Sequence, residues 1–454
     1  MERKNKYIVH LMDKSRFKWT EFHSEIEVYA RLYNDHGVKN IIFYKGASYK
    51  DIEFLAELEE KGVFIVSYTS QKNLITKVKE YQTEWEILYV NTTAELLINI
   101  SNRLKKELGQ NVSKFPKLFR DKYIQRKLLQ KNGGQNWIKF FTGTIKELDF
   151  DTLEEKVGTP FILKPTNGLQ SSWVVKINNK QDFSDYTYHY IQFHENCSNR
   201  WFESDVIIAE EFIDGKMYSI DYFVSQSWKI FMSKPIGVDM WVDLGIDDYF
   251  NAIIHASHEI EKQVDITKLT TFVNDCVEAT KICNTYIHHE FKITSKWEFK
   301  TIEMNGRIWG SRVEHMIEAY DMNLYEFILW IDQQEKTLID NFIKVNIYAP
   351  QRWILAWINQ ELIQKVKIKR SSSKITVSHK KIGQVTGLTK DWFTRIIVIK
   401  LKHKNYKIIR KDLEYIKRHY TNFLYLDDES KFIEMVNYIK TLWYTLTPTA
   451  KKKK

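Results

Sequence analysis

Four short apolar runs constrain how the first hundred residues can fold: 7–11 (YIVHL), 41–44 (IIFY), 63–67 (VFIVS) and 87–90 (ILYV). Each suits a buried strand and is too short for a buried helix, and helical patterns such as 52–61 lie between them. Strands that alternate with helices cannot be joined by tight hairpins. The expected product is an open, largely parallel α/β sheet. An amphipathic helix over 94–108 follows and is stopped by Gly109.

At 454 residues the chain exceeds one ordinary core, so two to four subdomains are expected. With 65 aromatic residues against 6 prolines, it has too much burial-prone surface to be a disordered chain. Cys197, Cys276 and Cys283 form no C-x-x-C pair. A disulfide framework or a zinc–cysteine site is therefore not expected, and a reducing cytoplasm is. The first residues carry charge where a signal peptide needs an apolar stretch, and no run of 18 apolar residues suggests a membrane-spanning helix. The formal net charge of +10 is unevenly spread: residues 361–454 hold 23 Lys and Arg against 8 Asp and Glu. Any attraction to a polyanion belongs to that last quarter.

Beyond Pro116 the sequence reads as a short helix ended by Gly133 and Gly134, then two strands (161–164 and 173–177) joined by a turn at Asn167–Gly168. Residues 206–211 and 218–224 read as two further strands, 290–305 as a hairpin, and 313–330 as a helix. The best linker after that core is 370–373 (RSSS), followed by β-rich segments and a helical end at 431–446.

Three segments carry chemistry. In 287–311 (IHHEFKITSKWEFKTIEMNGRIWGS), alternation on a strand sends Glu303, Asn305 and Arg307 to one face and Ile302 and Met304 to the other. With the turn near 295–297, Glu290 falls opposite or diagonal to Glu303. Facing carboxylates repel, and a divalent cation between them removes that cost. Two Glu and one Asn oxygen suit Mg²⁺, which also wants substrate phosphates. Arg307 would lie beside those phosphates. In 160–177 (PFILKPTNGLQSSWVVKI), a buried strand delivers Lys164 beside a small polar loop, an arrangement suited to a phosphate. In 206–224 (VIIAEEFIDGKMYSIDYFV), two glutamates end an apolar strand before a Gly turn. Read singly, that segment is an ordinary hairpin. His288 and His289 are neighbours on a strand and point apart, so one is expected in the core and one at the cleft, with no shared metal. The aromatic run at 185–202 reads as a packed insertion.

In this order the segments resemble the ATP-grasp superfamily: a lysine strand with a flexible loop, then E-E-φ-φ-x-G, then Glu…Glu-x-Asn-x-Arg. FRDKYIQRKLLQKNGG looks like that family's D-K-x-x-x-R-x-x-L-x-x-x-G segment. The resemblance covers roughly residues 1–345. It implies an α/β and α+β chain: a pre-ATP-grasp α/β domain (1–112), an ATP-grasp catalytic domain with the nucleotide between its subdomains (113–345), and a basic C-terminal domain (346–454). It further implies that Lys122 and Lys164 contact ATP phosphates, and that Asn167, Gly168, Ser171 and Ser172 belong to the mobile loop. Glu210 and Glu211, with the backbone of Phe212 and Ile213, would hold adenine. Glu290, Glu303 and Asn305 would ligate Mg²⁺, and Arg307, with Lys164, would stabilise the acyl phosphate.

Three departures stand out. Gln170 and Trp173 occupy positions where glycines are usual. Met217 replaces a common ribose-binding glutamate, for which Asp214 or Asp221 is the substitute. The signature reads N-G-R-I-W-G-S, with Gly306 where proline is common. That last form resembles predicted carboxylate–amine ligases associated with cell-surface polysaccharide or peptide-like conjugates, as does Arg352–Trp353. The implied activity is an ADP-forming amide ligase that joins a small or carrier-bound carboxylate to an amine, with a homodimer as the commonest assembly. Two other readings compete: a nucleotide-binding pseudo-ligase, and a nucleic-acid or membrane-surface binder acting through the basic C-terminal domain. No nucleic-acid motif is present, so nucleic acid is not an expected partner, whereas an anionic surface is compatible with the basic charge.

Overall fold

The computed structural model describes residues 5–14, 17, 20–134, 137–168, 173–196, 205–240, 251–308, 310–329, 336–347, 356–358, 374–379, 397–419 and 424–426. The chain forms two compact units, each assembled from separated stretches: 1–137, 218–236 and 260–340 in the first, and 138–217, 237–259 and 341–454 in the second.

The first unit begins with the expected parallel sheet. Asn5–Met12 lies between Val38–Lys45 and Trp85–Thr92, with Val63–Tyr68 at the edge. Its apolar positions, among them Val9, Leu11, Ile41, Phe43 and Val90, bury against Leu74, Val78 and Leu104 of the flanking helices. Parallel strands covered on both faces need such near-continuous apolar runs. The 94–108 segment starts as a 3₁₀ turn, Glu95–Leu97, and continues as the helix Ile98–Glu107. Gly109 takes φ +73°, the left-handed conformation that ends helices.

The same unit contains the hairpin Thr285–Ile293 and Phe299–Asn305, with Lys216–Val224 beside it in the sheet. Behind the hairpin lie the helices Lys122–Asn132 and Ile266–Thr280. Leu129, Leu269, Phe272, Val273, Cys276, Phe291 and Met304 form one buried cluster there. The side-chain amide of Gln125 works like an extra strand edge: its Nε2 donates to Met304 O (3.0 Å) and its Oε1 accepts from Met304 N (3.1 Å). Arg126 Nη2 donates to Ile302 O at 2.5 Å. These bonds satisfy backbone groups on the rim of the hairpin and fix the helix against it.

In the second unit an antiparallel sheet runs in the order Phe140–Thr144, Val206–Glu211, Phe161–Pro165, Val175–Ile177. Its core gathers Leu153, Phe161, Leu163, Ile207 and Ala209 with Tyr186 and Tyr190 of the helix Lys180–Asn196. Of the aromatic run expected to pack, Tyr186 and Tyr190 are buried, whereas Tyr188 is exposed. Other strands of this unit, Asn251–Ala256, Asn341–Ile347, Ile397–His403 and Lys374–His379, pair antiparallel in that order. The helix Tyr406–His419 buries Ile409, Leu413 and Ile416. The linker candidate at 370–373, Arg352–Trp353 and the helical end at 431–446 lie outside the described residues. Among the described residues no helix is long and apolar enough to cross a membrane.

Candidate active site

The hairpin of the first unit holds the acidic set. Its turn is closed by Trp297 N donating to Thr294 O (2.9 Å), with Trp297 at φ +62°. From there the register places His288 opposite Asn305 and Glu290 directly opposite Glu303, with an irregularity between Glu290 and Phe291. Glu290 and Glu303 are both half-buried, and Asn305 is buried. The two carboxylates thus share one face of the sheet with the Asn305 amide, and their mutual repulsion there calls for a cation. One is already close: Lys122 Nζ reaches Glu303 at 2.8 Å. Asp121 explains the placement of Lys122. It caps the helix by accepting from Tyr123 N (2.9 Å) and Ile124 N (3.4 Å), which leaves Lys122 on the first turn facing the hairpin. Two carboxylates, one amide oxygen and a neighbouring ammonium fit a site for a hard cation carrying phosphate.

Glu290 also has a side-chain partner of its own. His288 Nε2 lies 3.3 Å from Glu290 Oε1, and His288 Nδ1 lies 2.9 Å from Asp221 Oδ1. Arg312 Nε is 2.9 Å from Asp221 Oδ2, and its Nη2 donates to Ser219 Oγ. Asp221, His288 and Arg312 are all buried. Burial alone would raise the Asp221 carboxyl, but Arg312 and His288 outweigh it and hold its pKa below the usual value. Burial opposes a charge on His288 as well, yet Asp221 and Glu290 raise its pKa. The result is a buried chain, Arg312–Asp221–His288–Glu290, that orients a candidate metal ligand.

Two expectations change here. Asp221 is committed to Arg312 and His288, so it is no substitute for a ribose-binding glutamate; Asp214 is exposed. Both histidines are buried, rather than one facing a cleft. His289 bonds Thr301 Oγ1 (3.1 Å) and Tyr222 Oη (3.3 Å) in the core, and burial lowers its pKa to about 3.

Arg307 follows the hairpin strand through a tight turn in which its N–H donates to Asn305 O (2.9 Å). Gly306 is required there for a reason of space. A Cβ at that position would come within 2.7 Å of the Phe119 ring, which explains why neither proline nor any larger residue stands in this signature. Arg307 Nη2 meets Glu95 Oε2 at 3.3 Å, and Arg120 Nη1 meets Glu95 Oε1 at 3.5 Å. Neither Glu95 nor Arg120 carries a signal in sequence, since both act through long-range contacts.

The second unit holds the other candidates. Lys164 sits diagonally across from Glu210 in paired strands, and the two form an ion pair of 2.7 Å, both buried. A buried pair of this kind costs desolvation and adds little net stability, so stability alone does not account for it. The Glu211 carboxylate accepts from Lys139 N (2.7 Å), Phe212 N donates to Pro160 O (3.3 Å), and Lys176 Nζ lies 4.1 Å from the centre of the Phe212 ring. Ile213 is buried. The strands Val206–Glu211 and Lys216–Val224 belong to different sheets, so the segment between them is a crossing and not the ordinary hairpin it resembles in isolation. Asn167 is half-buried, Gly168 is buried with its N–H on Pro165 O (3.3 Å), and Ser171 and Ser172 lie outside the described residues.

The model of the ATP-grasp domain matches residues 157–314. Among solved structures, the L-amino acid ligase from Bacillus licheniformis superposes with a TM-score of 0.64 at 18% identity, covering 94% of this chain and 99% of that one. The N5-carboxyaminoimidazole synthetase from Staphylococcus aureus complexed with ADP gives 0.61 at 14% identity, covering 91% and 98%. A biotin carboxylase complex from Campylobacter jejuni gives 0.57 at 14%, covering 93% and 92%. No curated relative matches the sequence.

Proposed function

The chain carries an ATP-grasp domain, and from that premise we propose that it is an ATP-dependent carboxylate–amine ligase. The observation that carries the reading is the Glu290–Glu303 register with Asn305 on the same face and Lys122 on Glu303. Mg²⁺, when bound by Glu290, Glu303 and Asn305, would neutralise the β- and γ-phosphate oxygens of ATP.

The chain's own residues would do the rest. A substrate carboxylate oxygen attacks the γ-phosphorus, the bond to the ADP oxygen breaks, and an acyl phosphate and ADP result. Lys122 and Lys164 would oppose the negative charge on the transferring oxygens, and Arg307 would hold the acyl phosphate as it forms. The amine nitrogen then attacks the acyl carbon, phosphate leaves, and the amine releases a proton, giving an amide. Glu210 and Glu211, with the backbone of Phe212 and Ile213, would hold adenine. The loop containing Asn167, Gly168, Ser171 and Ser172 would shield the acyl phosphate from water. Support for a peptide-like or cell-surface conjugate as substrate comes from the N-G-R-I-W-G-S signature, and the amino-acid ligase among the structural neighbours is compatible with it. A cytoplasmic, homodimeric enzyme is the matching assembly.

Thermal unfolding with and without Mg-ADP tests the reading. Ligand at a hundred times its dissociation constant should add about 2.7 kcal/mol to the wild type. Glu303→Ala should lose that gain. A folded wild-type protein that shows no metal-dependent shift would turn the function toward the basic C-terminal segment.

A further inference from the structure

Arg120 is a buried guanidinium with an unusual account. Its side chain is 5% exposed, and Nη1 and Nη2 have no hydrogen-bond partner among the described residues; Glu95, at 3.5 Å, is the carboxylate it pairs with. Arg307 reaches the other oxygen of the same carboxylate at 3.3 Å, and its Nε is likewise buried without a partner among the described residues. Two guanidiniums therefore share one carboxylate, and both contacts are longer than the 2.7–2.9 Å usual for such bonds. Three distant stretches meet here. Glu95 stands just past the strand Trp85–Thr92, where Thr92 Oγ1 accepts from Ala94 N at 3.0 Å. Arg120 ends the 3₁₀ turn Pro116–Phe119. Arg307 follows Gly306, whose missing Cβ lets the Phe119 ring approach.

We infer that Glu95 and Arg120 are positioning residues for Arg307: Glu95 holds the Arg307 guanidinium in one orientation, and Arg120 anchors Glu95 from the buried side. Arg120 is too enclosed to touch a substrate. Among the described residues Glu95 is the carboxylate that pairs with it, and Glu95 in turn offsets the repulsion between the two arginines. Without Glu95, two like charges would face each other at low exposure, and Arg307, the more exposed of the two, would swing away. The contacts are loose enough for Arg307 to add an anionic ligand while keeping Glu95. The use to which Arg307 is put, binding the acyl phosphate, rests on the ligase reading; the brace itself does not.

The test is the rate at which phenylglyoxal modifies Arg307 in the full chain, read by peptide mass spectrometry. Arg31, paired with Asp321 at 2.7 Å, serves as internal reference. Glu95→Gln should raise the Arg307 rate about tenfold, the factor matching loss of a hydrogen bond to a charged group, and leave Arg31 unchanged. Arg120→Gln should raise it as well, and Arg120→Lys, which keeps the charge, should return it toward wild type. If Glu95→Gln fails to fold, Glu95→Asp replaces it and should give an intermediate rate. An Arg307 rate equal to wild type in folded Glu95 variants overturns the inference, as does equal behaviour of Arg120→Gln and Arg120→Lys. A Mg-ADP shift measured on the same samples separates the two ideas. A wild type that does not bind Mg-ADP sinks the ligase reading while the Arg307 rates still decide the brace.

Discussion

At the residue scale, the site depends on side chains that never meet solvent. His288 lies between Asp221 and Glu290, so its loss would free Glu290 to rotate and leave Asp221 and Arg312 without their third member. Outer partners of metal ligands typically contribute 10–100-fold in affinity. His288→Gln and Asp221→Asn are expected to raise the Mg²⁺ concentration needed for the Mg-ADP thermal shift by about that factor, while the parallel sheet is unaffected. A second prediction concerns His10, buried in the first strand. It contacts Asn40 Oδ1 (2.9 Å) and Asn91 Nδ2 (3.3 Å), and burial lowers its pKa to about 4. The unfolded chain takes up a proton below the ordinary histidine value of about 6.5, and the folded one does not until about 4. Stability from this group is therefore full above pH 6.5 and is lost as pH falls toward 4. The loss should be about 2 kcal/mol at pH 5. His10→Gln should be less stable at pH 7.5 but show a correspondingly smaller decline from pH 7.5 to 5 in urea unfolding.

At the scale of elements, the hairpin was legible and its supports were not. Alternation along 299–305 and a turn near 295–297 are local properties, so the facing of Glu290 and Glu303 follows from period two and turn length. The burial of both histidines comes from what packs around them, namely Phe272 and Tyr222 on His289 and the Asp221–Arg312 pair on His288. Gly306 shows the same division. The sequence presents it as an anomaly, and the Phe119 ring supplies the reason. Gly306→Ala should cost about 1–3 kcal/mol by overpacking. Phe119→Ala should make that substitution less costly in a double-mutant cycle of urea midpoints, whereas additive costs would mean the ring is not the obstacle. The helix Lys122–Asn132 was expected from its pattern, but the Gln125 amide that bonds Met304 on both sides is a contact 179 residues apart in sequence.

At the scale of the whole molecule, neither unit is a continuous stretch of chain. The 397–403 strand pairs with 341–347 over seven residues, and 374–379 pairs with 397–403 in turn. A chain ending before Arg370 would therefore expose an unpaired edge at 341–347, with Ile343 and Val345, both buried, losing their cover. Such a truncation is expected to aggregate or to lose cooperative unfolding, as measured by light scattering and calorimetry. The basic charge of the last quarter is thus carried in part by strands that complete a sheet, and in part by residues exposed on the helix Tyr406–His419, among them Lys407, Lys411 and Arg418.

What the sequence determined by itself was whatever depends on neighbours in the chain. This includes the parallel N-terminal sheet, the helix stop at Gly109, and the face shared by Glu303 and Asn305. Periodicity, capping and turn chemistry are local, and they need no knowledge of the rest of the fold. The tertiary structure alone decided which partners complete those groups: Lys122 on Glu303, Lys164 on Glu210, His288 between Asp221 and Glu290, and Arg307 on a carboxylate it shares with Arg120. Apart from the contact between His288 and Glu290, which share one strand, each of these pairs joins stretches far apart in sequence. Their pairing is set by the burial of charge and the filling of space, which act between segments the chain brings together only on folding.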